Sequence, residues 1–88
     1  MISRRSKRFK KLYELLPAET RALAVKNYRL WKDNRDHPSL NFEEVMPGRW
    51  SVRVGLHYRA LGSMQADGAM VWTWIGSHET YDKLLQQR

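Results

Sequence analysis

The chain has 88 residues, no cysteine, 16 Lys and Arg against 9 Asp and Glu, and a formal net charge of +7. That length fits one domain over residues 1–88 with one core, and the absence of cysteine excludes disulfides and thiolate metal sites. A pI near 10.2 favours polyanionic partners: nucleic acid, the ribosome, an anionic membrane or an acidic protein.

A domain this small buries only about 60–65% of its unfolded surface, so extra stabilisation from a protein partner is expected. His37, His57 and His78 have no ligand-like spacing, and no metal or other cofactor is expected. No apolar run approaches the ~20 residues of a membrane span. The basic residues 1–8 are not followed by an apolar h-region, so a signal peptide is not expected either. A cytoplasmic location follows as the expectation.

Phe9, Leu12, Tyr13 and Leu16 fall at helical spacing and predict an amphipathic helix over residues 4–16. Its other face carries Arg4, Arg5, Lys7, Arg8, Lys10 and Lys11. Pro17 suits the first turn of a second helix, and Glu19 complements its N-terminal dipole. Ala24, Tyr28 and Trp31 share one face of that helix, which should end near Asp33–Asn34. The break at Leu16–Pro17 makes the two helices a hairpin.

The period then changes to two. Asp36 to Ser39 is a turn-rich loop in which Pro38 pushes His37 out of helical geometry. Strands are predicted over residues 40–45, 50–54, 58–64 and 70–75, with Asp67-Gly68 in a tight hairpin turn. Ser77 can cap a final helix over residues 78–87. The expected fold is α+β, with a helical hairpin packed on one face of a twisted four-stranded antiparallel sheet and a short C-terminal helix.

The connection Gly55-Leu56-His57 sets a register. It pairs Val54 with Tyr58 and puts Arg53 opposite Arg59, on the face away from Trp50, Val52 and Val54. Opposed like charges on a sheet are destabilising, so either an anion sits between them, or both are solvated on an open face or bonded to local carboxylates. The Asp67-Gly68 hairpin leaves two alternatives. A two- or four-residue loop puts Trp72 and Trp74 on the arginine face, where a base could stack; a three-residue loop makes both core residues. His78 and Tyr81, at i and i+3 after the last strand, are near neighbours suited to proton exchange beside two guanidinium groups. Each also has a plain structural role available, His78 at a helix start and Tyr81 packing with Leu84 and Leu85.

The segment from Trp50 through Arg53, Gly55, Tyr58 and Arg59 to Gly62 resembles the central strands of RelE/ParE superfamily toxins from bacterial toxin–antitoxin systems. The segment Trp74-Ile75-Gly76-Ser77-His78-Glu79-Thr80-Tyr81-Asp82-Lys83-Leu84-Leu85 resembles their C-terminal part, and Asp36-His37-Pro38-Ser39-Leu40 resembles the loop before their sheet. The resemblance implies a metal-independent, ribosome-dependent mRNA endoribonuclease without a cofactor, neutralised by a cognate antitoxin in a hetero-oligomer. It gives Arg59 the scissile phosphate, Arg53 a charge-stabilising place beside it, and His78 and Tyr81 the remaining catalytic places. Arg4, Arg5, Lys7, Lys10, Lys11, His57 and Trp74 are the candidate RNA-binding residues.

Two departures qualify the resemblance: the spacing from His78 to Tyr81 is shorter than in RelE itself, and one expected cation is missing. Ser51 stands where RelE carries a further Lys, with His57 or the basic first helix as compensation. ParE-branch members share the fold, poison DNA gyrase and lack the nuclease residues. A non-catalytic basic module that binds nucleic acid or antitoxin is the third alternative.

Overall fold

A computed structural model describes residues 3–86. Residue 87, the expected last residue of the final helix, lies outside the described residues. The elements are β1 (Ser3–Arg5), α1 (Lys7–Glu14), α2 (Ala18–Asp33), β2 (Glu43–Met46), β3 (Arg49–Val54), β4 (Tyr58–Met64), β5 (Met70–Ser77) and α3 (His78–Gln86). The sheet is five-stranded, in the order β1-β5-β4-β3-β2.

The first helix starts later than its basic run suggested. Ser6 is its N-cap, accepting a hydrogen bond from the Phe9 amide at 3.1 Å, so the chain before Ser6 is free to extend. Those residues form β1, parallel to β5, with Arg4 beside Val71 and Arg5 beside Trp72. The Trp72 indole donates to Ser3 Oγ at 3.1 Å, and the Ser6 amide donates to Trp72 O at 2.9 Å. The sheet is therefore mixed rather than wholly antiparallel, with one strand more than expected.

The helical hairpin forms as its sequence dictates. α1 stops before Pro17, which disfavours helical geometry in the residue preceding it, and Pro17 itself caps α2. Both helices cover one sheet face. Phe9, Trp31, Val52, Val54, Ala60, Met70, Trp72 and Ile75 are buried together there, with Trp31 edge-on to Trp72 at 5.2 Å between ring centroids. Tyr28 stays at the margin, 37% exposed and stacked on Trp31.

The strand expected to begin at Leu40 begins at Glu43. Pro38–Leu40 forms a 3-10 turn, with the Ser39 amide donating to His37 Nδ1 at 3.2 Å, and Asn41 then takes a left-handed φ of 43°. That kink buries Leu40 completely under the sheet and delays the extended chain.

β3 and β4 pair in the expected register, Val54 with Tyr58 and Arg53 with Arg59. β4 and β5 do not pair evenly. Gln65 accepts the first turn bond and donates to Ala69, which leaves a three-residue loop and turns Trp72 into the helical core. Between Trp72 and Trp74 the register shifts by one: Gly62 pairs with Trp72 but Leu61 with Trp74. Thr73 is the extra residue of this bulge, and it sends Trp74 to the opposite face. The three-residue loop makes both tryptophans core residues, as the second alternative has it, but the bulge puts them in two separate clusters on opposite faces.

The second face is not open along its whole length. α3 lies against it, and Leu61, Trp74 and Tyr81 form a smaller buried cluster edged by Leu12, Val45, Leu84 and Leu85. Among the described residues no helix is long and apolar enough to cross a membrane.

Candidate active site

The site grows from the β3–β4 hairpin. Gly55 takes φ 69° in the turn, and a Cβ there would come within 2.5 Å of the Leu23 side chain of α2. A glycine thus lets the turn sit directly on the helix, and the Asn27 amide of α2 adds a 3.3 Å hydrogen bond to Arg53 O. The hairpin that presents the arginines is fastened from behind.

On the far face Arg53 and Arg59 are directly opposed and both half-buried. Arg59 Nη1 donates to Tyr58 O at 2.8 Å, which folds the guanidinium back along its own strand. Its pKa is held below the ordinary arginine value by burial first and by the Arg53 charge second, while Tyr81 and Asp82 act in the opposite direction. Arg53 Nε is buried without a hydrogen-bond partner. Among the described residues neither guanidinium has a carboxylate ion-pair partner. Two adjacent cations, partly withdrawn from water and unneutralised, make a site for an anion with several acceptor oxygens.

α3 brings the proton-exchanging groups to the same end of the sheet. The His78 amide donates to His57 O at 2.7 Å, tying the start of the helix to the hairpin turn. Ser77 Oγ accepts from the Thr80 amide at 3.2 Å and caps the helix as expected. The His78 ring stacks on Tyr81, with centroids 6.3 Å apart and planes 28° apart, and Nδ1 lies 3.5 Å from Asp82 Oδ2. His57 and His78 share a shallow cleft with Leu56, Tyr58, Ser77 and Glu79. The outcome is a half-exposed imidazole fixed by backbone, ring and carboxylate beside an arginine pair.

Tyr81 takes the packing role that its spacing from Leu84 and Leu85 offered. It is 7% exposed and packs against Trp74, so it combines the packing role with a location in the electrostatic range of Arg59. Trp74 is 4% exposed, and its indole lies across Gly76, where a Cβ would meet the ring at 2.6 Å. With α3 covering it, Trp74 offers no free face to a base.

The other candidates for RNA contact are scattered. Arg4 shares the sheet face of Arg53 by its register with Val71, two strands away from β4. Arg5 turns to the helical side and lines an apolar groove of about 380 Å³ with Tyr13, Tyr28 and Trp31. Lys7, Lys10 and Lys11 are exposed on α1, which packs against β5 rather than the β3–β4 hairpin. Among the described residues no three His, Asp or Glu side chains gather as a metal cage.

Asp82 and Arg49 belong to this face and were not singled out from the sequence. Asp82 was legible as an acid four residues after His78 on a helix. Arg49 becomes legible once β3 is begun one residue earlier, since it then alternates with Ser51 and Arg53.

The fold is that of known toxins. A chain of the RelB-RelE antitoxin-toxin complex from Methanococcus jannaschii superposes with a TM-score of 0.70 at 13% identity, over 96% of this chain and 98% of that one. The YoeB/ParE toxin from Agrobacterium tumefaciens gives 0.70 at 15% identity, over 89% and 99%. The isolated Escherichia coli RelE toxin gives 0.65 at 13%, over 98% and 96%. No curated protein sequence matches the chain significantly. Residues 19–83 match the ParE-like toxin domain, and the chain belongs to that family, within the RelE/ParE superfamily of toxins.

Proposed function

We propose that this chain is the toxin of a toxin–antitoxin pair and acts by cleaving mRNA on the ribosome in the cytoplasm, without a metal. The observation that carries this reading is the opposed Arg53–Arg59 pair, which no carboxylate among the described residues neutralises. Cross-strand like charges are unfavourable unless an anion is shared between them, and a phosphodiester is an anion of suitable shape.

In the proposed reaction the RNA 2′-hydroxyl attacks the adjacent phosphorus. The 2′-oxygen loses its proton as the O–P bond forms, and the 5′-oxygen leaves and gains a proton as its bond to phosphorus breaks. The products are a 2′,3′-cyclic phosphate and a 5′-hydroxyl end. Arg53 and Arg59 take the charge that grows on the phosphate oxygens, in a partly desolvated place where such charge stabilisation counts most. His78 is the group that exchanges the proton, being half-exposed and held in one orientation. Tyr81, buried beneath it, keeps the imidazole plane in place and lies within electrostatic range of Arg59.

A second reading is kept for a specific reason. The family match is to the ParE-like toxin domain, and a gyrase-directed toxin would use the same fold without the nuclease chemistry. The solved relatives include complexes of RelE with its antitoxin RelB, and a cognate antitoxin is the partner we propose for this chain. Mapping RNA 5′ ends after induction tests the principal reading: cleavage inside reading frames supports it. Intact transcripts together with altered DNA supercoiling would move the assignment to gyrase.

A further inference from the structure

We propose that His57 is a second catalytic residue, the base that takes the 2′-hydroxyl proton, with His78 as the acid that supplies the leaving 5′-oxygen; the proposal rests on the nuclease reading above. Cleavage by 2′-hydroxyl attack has two proton transfers, and they fall on opposite sides of the phosphorus. One ring serves one of them, which leaves a place for a second group within reach.

The ladder provides that group. β4 and β5 pair Tyr58 with Ser77, and the next residues outward are His57 and His78. Their backbones meet directly, the His78 amide donating to His57 O at 2.7 Å. Residues opposed in this way have Cβ atoms about 4.5–5.5 Å apart, so one phosphodiester can reach both rings. Both residues line the same shallow cleft at the hairpin end of the sheet. His57 is exposed and the His78 side chain is 46% exposed, which leaves the cleft open to a strand. The Leu61–Trp74 pair, which α3 covers, lies the other way along the ladder, beyond Arg59 and Gly76.

Arg59 brings its charge to this open end. Its Nη1 donates to Tyr58 O at 2.8 Å and reaches Gly55 O at 3.5 Å, so the guanidinium is folded toward the turn that carries His57. The two roles follow from the partners. Asp82 Oδ2, 3.5 Å from His78 Nδ1, compensates the positive ring that donates a proton from Nε2. Glu79 lines the same cleft, yet among the described residues no carboxylate forms an ion pair with His57, which serves as the neutral acceptor. In the step, the 2′-oxygen gives its proton to His57 and bonds to phosphorus as the bond to the 5′-oxygen breaks. That oxygen takes its proton from His78. Exchange with water then removes the proton from His57 and returns one to His78.

The test is single-turnover cleavage of a short mRNA on programmed ribosomes, with oxygen or sulfur at the bridging 5′ position of the mapped cleavage site. A thiolate leaves without a proton, so the sulfur substrate has no need of the acid. His57→Ala and His57→Asn both keep the carbonyl that holds α3, and near-ultraviolet circular dichroism checks their fold. Each should slow both substrates by about 10²–10⁴-fold. His78→Ala should slow the oxygen substrate to a similar extent and cleave the sulfur one almost as fast as the parent. Folded His57 variants as fast as the parent on the oxygen substrate overturn the proposal alone, and so do His57 variants that sulfur rescues. A parent chain that leaves both substrates intact overturns the nuclease reading and this proposal with it.

Discussion

Arg53 and Arg59 stand directly across the β3–β4 ladder from one another, with the Arg59 guanidinium turned back onto Tyr58 O at 2.8 Å. Mutual repulsion and partial burial both disfavour this arrangement in the free chain. Arg59→Ala should therefore leave the melting temperature unchanged or slightly raised, by an amount matching a few tenths of a kcal/mol. The same substitution should remove most RNA cleavage, since one preorganised donor at a reacting phosphate is worth about 3–4 kcal/mol. Arg59→Lys should recover only part of it, because a point charge does not reproduce two-pronged phosphate binding. Toxicity equal to the parent in a folded Arg59→Ala variant would sink the nuclease reading.

His78 is held at three points: its backbone amide donates to His57 O, and its ring meets the Tyr81 ring and Asp82 at 3.5 Å. His78→Ala should slow the chemical step by about 10²–10⁴-fold, the usual worth of a positioned acid–base group. Asp82→Asn should cost less, because backbone and ring still orient the imidazole. Single-turnover cleavage separates the two. An Asp82→Asn loss as large as that of His78→Ala would show that the carboxylate does more than orient.

These arrangements differ in how far the sequence reveals them. The Arg53–Arg59 register was legible because Gly55-Leu56-His57 fixes the loop and period-two alternation fixes the faces. β1 was not legible: three residues carry no period, and their partner β5 is distant in sequence. The split of Trp72 from Trp74 was hidden as well, since a single-residue bulge at Thr73 follows from packing on both faces rather than from a local turn signal. Packing of Tyr81 with Leu84 and Leu85 was legible from their helical spacing, whereas its burial against Leu61 and Trp74 needed the position of α3.

The bulge makes a test of its own. A Cβ on Gly62 would lie 2.6 Å from Met70 Sδ, 2.9 Å from a Trp72 ring carbon and 3.2 Å from Val71 O. The sulfur end is flexible but the indole and the carbonyl are not. Gly62→Ala should cost about 1–3 kcal/mol, as overpacking of a tight core does. Denaturant unfolding measures it, and a neutral result would mean that the bulge relaxes more readily than its packing suggests.

Tyr81 offers the sharpest separation of structure from chemistry, because one side chain carries both. Its ring is buried against Trp74 and Leu61, whereas its hydroxyl contributes to the electrostatic surroundings of Arg59. Tyr81→Ala should remove a large aromatic from the smaller core and destabilise the fold by about 3–5 kcal/mol. For a small domain that loss is comparable to much of its total stability, so α3 should loosen and activity vanish for a structural reason. Tyr81→Phe keeps the packing and deletes only the hydroxyl. It should retain the parent's melting temperature within a few degrees, and any fall in single-turnover rate is then chemical. Binding a cognate antitoxin at about 1,000 times its dissociation constant would add about 4 kcal/mol, enough to refold Tyr81→Ala while leaving it inactive. A Tyr81→Phe variant with full activity would confine Tyr81 to holding α3 and the His78 ring, with no part in proton exchange.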